Sequence, residues 1–563
     1  MKPKNMPLAD PPFREIIDNN LLYADKTKYV FDMVNGPRLL FLTRPRRFGK
    51  TLLLDTLEEL FLGNRELFKD LWIGTDSDYA FERHPVLRLN MAYSGLSTKK
   101  DLEDRIKNEL RLAAENEKIK INSDSIDEIL KDYLTGVSKQ YGVGVAVLID
   151  EYDAPVSGQI MNHKLALDNV NVLRDFYTSI KTNRKSIRFA LVTGITRFAM
   201  TALDSGPNSF VDISLAPEYA SICGFTVSEL TTYFGDRFDE TLASLKAKGG
   251  VAEGADRESL KEMILKWYDG YNWLGQEQVL NPYSILYFFK EKYFDGFWIS
   301  LGPPRHISSL LKKTPMDFIQ PNLDYYAAGQ IGKIELNRIT PVSVLFNSGY
   351  LTIDKAIFKD VVKKGVTTKV KMFSFRPPNL EVDLNFQSSF FKHAFNVIDS
   401  DFNNFAAKFP IAMLNKDSKT VANLLHNLLA AVIFFKNEST EKHFHSMLHM
   451  AFLAVGLEVL SEISAGDGRS DIVVILENKI RVVIELKYRR AYGKREISDV
   501  NRAAKELAAA LDDAEKQIKE KDYAAPHRAA NREVILLALA IRGKDQVAAR
   551  FVTPEKSDSP QDI

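Results

Sequence analysis

PRLLFLTRPRRFGKTLLLDTLEELF, running from Pro37 to Phe61, reads as an apolar strand, a loop holding Pro45 and Gly49, and a helix with leucines at helical spacing. A loop in that position lets backbone N–H groups and a helix N-terminus cradle phosphate oxygens. Arg47, Phe48, Gly49, Lys50 and Thr51 form its candidate nucleotide-binding segment. Lys50 is suited to reach β- and γ-phosphates, and the Thr51 hydroxyl to join the shell of a Mg²⁺ ion. The pattern GxxxxGK[ST] expects glycine where this chain has Arg44, because glycine allows a tight turn against the ligand, so the match is incomplete.

About one hundred residues later, GVAVLIDEYDAP ends an apolar strand in Asp150 and Glu151. Asp150 suits a Mg²⁺ ligand and Glu151 a group that orients or deprotonates water, because phosphoryl transfer depends on positioning and charge neutralisation. An acid pair favoured by a helix dipole would read the same way. FALVTGITRF ends in Thr193, Thr196 and Arg197, which suit a γ-phosphate sensor and a transition-state cation, or equally turn threonines and a surface arginine. Apolar runs at Val86–Leu89, Val145–Ile149, Ile187–Val192 and Val211–Leu215 alternate with helical patterns, which predicts a parallel sheet covered by helices. From Gly224 to Leu311 the pattern turns helical, with Thr226 and Glu229 spaced as a capping box, and predicts a lid.

A second constellation lies in SDIVVILENKIRVVIELKY, two apolar runs joined by a turn-like ENK, which predicts a β-hairpin. A turn centred between Asn478 and Lys479 makes facing residue numbers sum to about 957, putting Asp471 within one register step of Glu485. Glu485 and Lys487, two apart on one strand, share a face. Adjacent carboxylates repel unless protonated or bridged by a hard cation, so Asp471 and Glu485 are candidate Mg²⁺ ligands. With Lys487 they form a candidate catalytic set for water activation beside a phosphodiester. An ion pair on a solvated edge hairpin would give the same spacing. Arg489, Arg490, Lys494 and Arg495 extend a cationic stretch that suits phosphate contacts or a solvated surface.

Together RPRRFGKT, LIDEYDAP, VTGITRF, WYDGYNW, NPYSIL and LFNSGYLTI resemble the AAA-ATPase-like family, whose members usually carry a C-terminal domain of the PD-(D/E)XK nuclease superfamily. The resemblance covers most of the chain. It implies that the arginine-rich loop is the family's usual P-loop, and it matches Lys50, Thr51, Asp150 and Glu151 to nucleotide-site motifs. A carboxylate followed about a dozen residues later by ExK at a strand end resembles the nuclease core, although Asp471 follows Arg469 and Ser470 rather than proline. Glu441 and Gln517 match an extra acid and a glutamine found in some members.

The implied architecture is α/β. A P-loop NTPase parallel sheet spans residues 1–223, a helical lid 224–319, a mixed linker 320–400, a C-terminal α/β restriction-endonuclease-like domain 401–548 and a disordered tail 549–563. The implied cofactors are ATP and Mg²⁺, and the implied partner is nucleic acid, with DNA favoured over RNA. The favoured function is ATP-regulated phosphodiester hydrolysis. Its rivals are an ATP-controlled nucleic-acid- or protein-binding switch with an inactive nuclease-like domain, and an ATP-dependent remodeller.

Composition bounds these readings. At 563 residues, 45% hydrophobic and 26% charged, the chain suits about three globular domains. Lys+Arg 75 against Asp+Glu 74 leaves no global excess of charge, so a nucleic-acid surface must be a local patch. The single cysteine, Cys223, excludes an intramolecular disulfide framework and a Cys-rich zinc site, and fits a reducing, cytoplasmic setting. Neither a signal peptide nor an 18-residue apolar run is found, so no membrane partner is expected, and a homo-oligomer stays open. His443, His445 and His449 lack a zinc-site pattern and read as helix packing or surface, and Trp267, Tyr268, Tyr271 and Trp273 as core beside the lid.

Overall fold

The structure is a computed structural model that describes residues 4–8, 10–160, 162–197, 210–301, 325–331, 340–363, 366–395, 397–431, 440–465, 468–476, 480–490, 500–523, 533–543 and 546–553. They form two compact units, one from the described residues of Met1–Leu310 and Gln320–Asp383, the other from those of Leu384–Ile563.

The first unit is built on a five-stranded sheet in the order β2-β3-β4-β1-β5, where β1 is Leu39–Thr43, β2 Val86–Asn90, β3 Val145–Asp150, β4 Ile187–Gly194 and β5 Val211–Asp212. All four pairings are parallel, as expected. Every residue of β1 and β3 is buried, because helices cover both faces of the sheet and LLFLT and VAVLID supply unbroken apolar runs. The register pairs Thr43 with Gly194 and Ile149 with Val192, so Thr43, Asp150 and Thr193 end at one edge. The run expected over Val211–Leu215 pairs only at Val211–Asp212: the Asp212 carboxylate takes the Ser214 N–H at 2.9 Å and turns the chain.

Beyond the sheet, Val227–Phe234 opens with the expected capping box, Glu229 N–H donating to Thr226 Oγ1 at 3.1 Å and Thr226 N–H to Glu229 Oε2 at 2.8 Å. Phe234, Tyr268, Phe288 and Phe289 build the lid's own core. Tyr271 and Trp273 are also buried, as the pattern suggested. Gly270 has φ 115, and a Cβ there would meet the Pro378 carbonyl oxygen at 1.9 Å, so the WYDGYNW loop can close on Pro378 only with glycine.

The stretch around SVLFN is helical, Pro341–Asn347, and leads into an antiparallel ribbon of β7, Thr352–Lys363, and β8, Val366–Arg376, with β6, Tyr326–Ala327, beside β8. The second unit's sheet runs β13-β12-β11-β10-β9. Its strands are β9 Glu458–Ala465, β10 Gly468–Leu476, β11 Ile480–Arg489, β12 Val534–Arg542 and β13 Gln546–Val552. β11 and β12 pair in parallel, the other neighbours antiparallel. The helix Val500–Glu520 covers this sheet with Ala510, Leu511, Ala514 and Ile518. β13 carries the ladder into the first residues read as a tail, because Phe551 and Val552 pair with Leu537 and Leu536, and residues 554–563 lie outside those described. Among the described residues, no helix is long and apolar enough to cross a membrane.

Glu381, at the start of the helix Leu380–Phe395, ties the lid to the ribbon's exit. One carboxyl oxygen accepts from Ser284 Oγ at 2.7 Å, and the other from the Trp298 N–H at 2.7 Å. Burial pushes its pKa up to about 8, against the pull of those hydrogen bonds. The folded state therefore holds a proton that the unfolded chain releases near 4.5, and stability falls as pH rises from about 4.5 to 8. Glu381→Gln should flatten that decline in thermal unfolding followed from about pH 5 to about pH 9, and a variant that keeps the wild-type slope would show that Glu381 does not cause it.

Candidate functional site

At the first site, Gly49, with φ 90, caps the helix Lys50–Phe61, and Arg47 is also left-handed, so the loop turns as a phosphate-binding loop must. Lys50 is buried and donates to the carbonyls of Arg44 at 3.0 Å and Pro45 at 2.9 Å, spanning its own loop. The Thr51 hydroxyl donates to Asp150 Oδ2 at 2.8 Å. Thr193 Oγ1 and the Glu151 N–H donate to Asp150 Oδ1 at 2.7 and 3.0 Å. The residues read from three distant motifs thus meet at the ends of β1, β3 and β4. Glu151 holds φ 51, a left-handed conformation costly for a side chain other than glycine, of the kind that concentrates at functional sites.

Arg47 pairs with Asp10 and lies 5.5 Å from the Tyr283 ring, while Phe48 is buried edge-on against Tyr271 and Trp273. Arg197 pairs with Asp212. A cleft of about 540 Å³ runs from Lys50, Thr51 and Glu151 to Tyr23, Phe225 and Tyr287, a volume in the range of small-molecule sites.

Arg44 explains the missing glycine. Its guanidinium turns away from the cleft, stacks on Trp273 at 4.3 Å and donates to the carbonyls of Thr43, Ser214 and Tyr219 at 2.9, 2.8 and 3.0 Å. Burial lowers its pKa to about 10, which still leaves it charged at neutral pH.

Three further residues complete this site, none of them singled out by the motifs. Asp153 accepts the N–H groups of Ile195 and Thr196 at 3.1 and 2.8 Å, clamping the ends of β3 and β4 together, and burial raises its pKa to about 6. Arg88 on β2 bonds Asp55 at 3.2 Å and lies 3.8 Å from Asp150. Asp55 is one helical turn beyond Thr51, a spacing visible in sequence, and burial pushes it up to about 6 despite Arg88.

The second site sits on the β10–β11 hairpin. Val473 faces Val483, a sum of 956 rather than 957, which sets Asp471 opposite Glu485. The turn residues 477–479 lie outside those described. Beyond the last pair, Ile472 with Ile484, Asp471 Oδ2 accepts the Leu486 N–H at 2.8 Å. Glu485 is fully buried, and Lys487 Nζ donates to its Oε1 at 2.9 Å. Its Oε2 has no hydrogen bond of good geometry, although the Tyr523 hydroxyl is close enough to favour its ionisation. Burial and the charge of Asp471 push Glu485 up to about 7, and burial raises Asp471 as well. Burial opposes the Lys487 ammonium, but Glu485, Glu441 and Asp471 outweigh it and raise its pKa.

An orphaned carboxylate oxygen beside a second raised carboxyl is a donor set that fits a hard cation. Among the described residues no cluster of three or more His, Cys, Asp or Glu is formed, so water and phosphate oxygens would complete the shell.

Around this pair, Glu441 Oε2 accepts the Tyr488 N–H at 2.9 Å, and Gln517 Nε2 donates to the Tyr523 hydroxyl at 2.9 Å. Gln517 therefore reaches the site through Tyr523, while Glu441 also acts on the charges of Lys487 and Asp471 directly. His445, expected as a packing or surface residue, has Nε2 2.7 Å from the Asp471 carbonyl oxygen, a positioning contact one helical turn from Glu441. Arg489 pairs with Asp513, and Lys494 and Arg495 lie outside the described residues.

Residues 7–204 match the family described as a predicted AAA-ATPase, AAA-ATPase-like, and residues 439–551 match the PD-(D/E)XK nuclease superfamily. A protein of Azotobacter chroococcum mcd 1 described as "Uncharacterized protein in vnfD 5'region" is 27% identical over 560 residues, covering 98% of this chain and 99% of that protein. A solved structure of Drosophila ORC bound to GC-rich DNA and Cdc6 covers 50% of this chain and 91% of its own at 13% identity and a TM-score of 0.17, too slight a likeness to carry an argument.

Arg44→Gly would complete the sequence pattern yet remove buried, charged hydrogen bonds worth about 1.5–3 kcal/mol each. It should lower the stability of the first unit by about 3 kcal/mol or more in urea unfolding. A change within about 1 kcal/mol would show that the loop does not depend on this anchor.

Proposed function

We propose that this chain, in which an AAA-ATPase-like region is followed by a PD-(D/E)XK nuclease-superfamily region, is an ATP-controlled, metal-dependent nuclease acting on DNA. The observation that carries the reading is the buried pair of Asp471 and Glu485, with Glu485 Oε2 left without a hydrogen bond of good geometry beside the Tyr523 hydroxyl and Lys487 at 2.9 Å from Oε1. A Mg²⁺ ion bound there would supply charge neutralisation and an acidified water. Asp471 and Glu485 would hold it, with Asp471 oriented by the Leu486 N–H and by His445. The Lys487 ammonium would offset charge developing on the scissile phosphate or orient the nucleophile.

In the first unit, the loop N–H groups from Arg47 to Thr51 and the Lys50 ammonium would receive the phosphates of ATP. Thr51 and Asp150, already hydrogen-bonded, would share the nucleotide's Mg²⁺. Glu151 would orient or accept a proton from the attacking water, and Arg197, on release from Asp212, would meet transition-state charge. Nucleotide state would control access to DNA through movement of the lid.

The test is cleavage of circular and linear duplex DNA with Mg²⁺ or Mn²⁺, with and without ATP. Lys487→Ala should lose about 100-fold or more of metal-dependent cutting. Lys50→Ala should still cut but lose its response to ATP. Wild-type protein that hydrolyses ATP yet cuts neither DNA form would replace this reading with an ATP-controlled binding switch.

A further inference from the structure

The β7–β8 ribbon is used by neither site. Its strands run 12 and 11 residues, and β6 pairs only with Met372 and Phe373 near the ribbon's base. Between Asp354 and Lys371 the sequence DKAIFKDVVKKGVTTKVK holds six lysines and two aspartates, a net of +4 in a chain whose total is +1. Asp354 is engaged by Arg376 at 3.6 Å, and Asp360 stands opposite Lys369. Lys355, Lys359 and Lys369 are exposed, Lys371 partly so, and among the described residues none of the four is in an ion pair. Phe358 is 66% exposed and Val366 61%.

Cross-strand register decides which way these groups face. Lys355 opposes Ser374 and Lys359 opposes Val370 on one face, while Lys371 opposes Phe358 and Lys369 opposes Asp360 on the other. Cations therefore stand on both faces of a two-stranded arm. Charged edges also guard strands against aggregation, but guarding gives no reason for an exposed phenylalanine.

We propose that the β7–β8 ribbon is a duplex-DNA-binding arm that enters the major groove, its two lysine-bearing faces turned to the two phosphate backbones that line it. A ribbon with side chains on both faces is about 10 Å thick, and the major groove of B-DNA is about 12 Å wide. Among the described side chains the exposed part of β7, Asp354 to Val361, spans about 26 Å, roughly three-quarters of a turn of the duplex. Phe358 and Val366 offer apolar contacts to sugars or thymine methyls. The deep, narrow major groove of duplex RNA does not admit such an arm. The inference rests on the reading of the protein as one that acts on DNA, but it requires no cleavage.

The experiment is fluorescence anisotropy of full-length protein with labelled duplex DNA in EDTA, repeated over a range of salt, with duplex RNA and anionic phosphatidylserine vesicles as comparison probes. The variants are the triple substitution Lys359→Gln, Lys369→Gln and Lys371→Gln, and separately Phe358→Ala. The lysine variant should weaken DNA binding and reduce the slope of log K against log salt by about 3, one for each lost phosphate contact. Phe358→Ala should weaken binding without changing the slope. Unchanged melting temperature and ATP turnover exclude misfolding in either variant. Wild-type binding with an unaltered slope in the lysine variant would overturn the arm while leaving the nuclease reading intact. Equal loss of duplex RNA binding, or binding to vesicles in place of DNA, would overturn it in favour of a general polyanion surface. Wild-type protein that cuts DNA with metal but shows no lysine-dependent binding would also separate the two.

Discussion

A carboxylate buried at the end of a strand must recover, from hydrogen bonds or opposite charge, what it loses by leaving water. Both candidate sites are solutions to that constraint, and they solve it differently. Asp150 is satisfied within the protein by Thr51, Thr193 and the Glu151 N–H, with Arg88 nearby. Its partners come from β2, β4, the residue that follows β3 and the helix Lys50–Phe61, so the carboxylate also holds those elements together. Glu485 is left incomplete: Lys487 takes one oxygen, the other has no hydrogen bond of good geometry although the Tyr523 hydroxyl is near, and Asp471 adds repulsion. That imbalance is unfavourable for a scaffold and suited to a group that must bind a cation.

The phosphate loop is held from behind. Arg44 fixes its start to the segment after β5 and to Trp273, Phe48 fixes its middle to Tyr271, and the Trp298 indole donates to the Arg46 carbonyl at 3.1 Å. Trp298 in turn donates its N–H to Glu381, which Ser284 also reaches from the lid. One connected set of contacts thus links the loop, the lid and the exit of the β7–β8 ribbon inside the first unit. A change in the loop has a physical route to the lid through these groups.

Local signals were legible where the chemistry is local. The strand, loop and helix of Leu39–Phe61, the capping box of Thr226 and Glu229, and the hairpin bearing Asp471 and Glu485 all follow from neighbouring residues. The pattern alone leaves Arg44 as an incomplete match, because the partners that turn it away, Ser214, Tyr219 and Trp273, lie far along the chain. The hairpin register sums to 956 where about 957 was expected, within the one step that the reading allowed. β9 and β13 are hard to read from sequence because they are edge strands, EVLSEISA broken by Ser461 and Glu462 and QVAARFV by Arg550, so neither forms a continuous apolar run. His445, Asp153 and Tyr523 act through tertiary contacts that spacing alone does not carry.

The central claim is that Asp471 and Glu485 converge to hold a divalent cation. Isothermal titration of Mn²⁺ into nucleotide-free protein tests it directly, comparing wild type with Glu485→Gln and with Thr51→Ala. The account predicts a site that disappears in Glu485→Gln and survives in Thr51→Ala. Mn²⁺ binding that is the same in wild type and Glu485→Gln would contradict it.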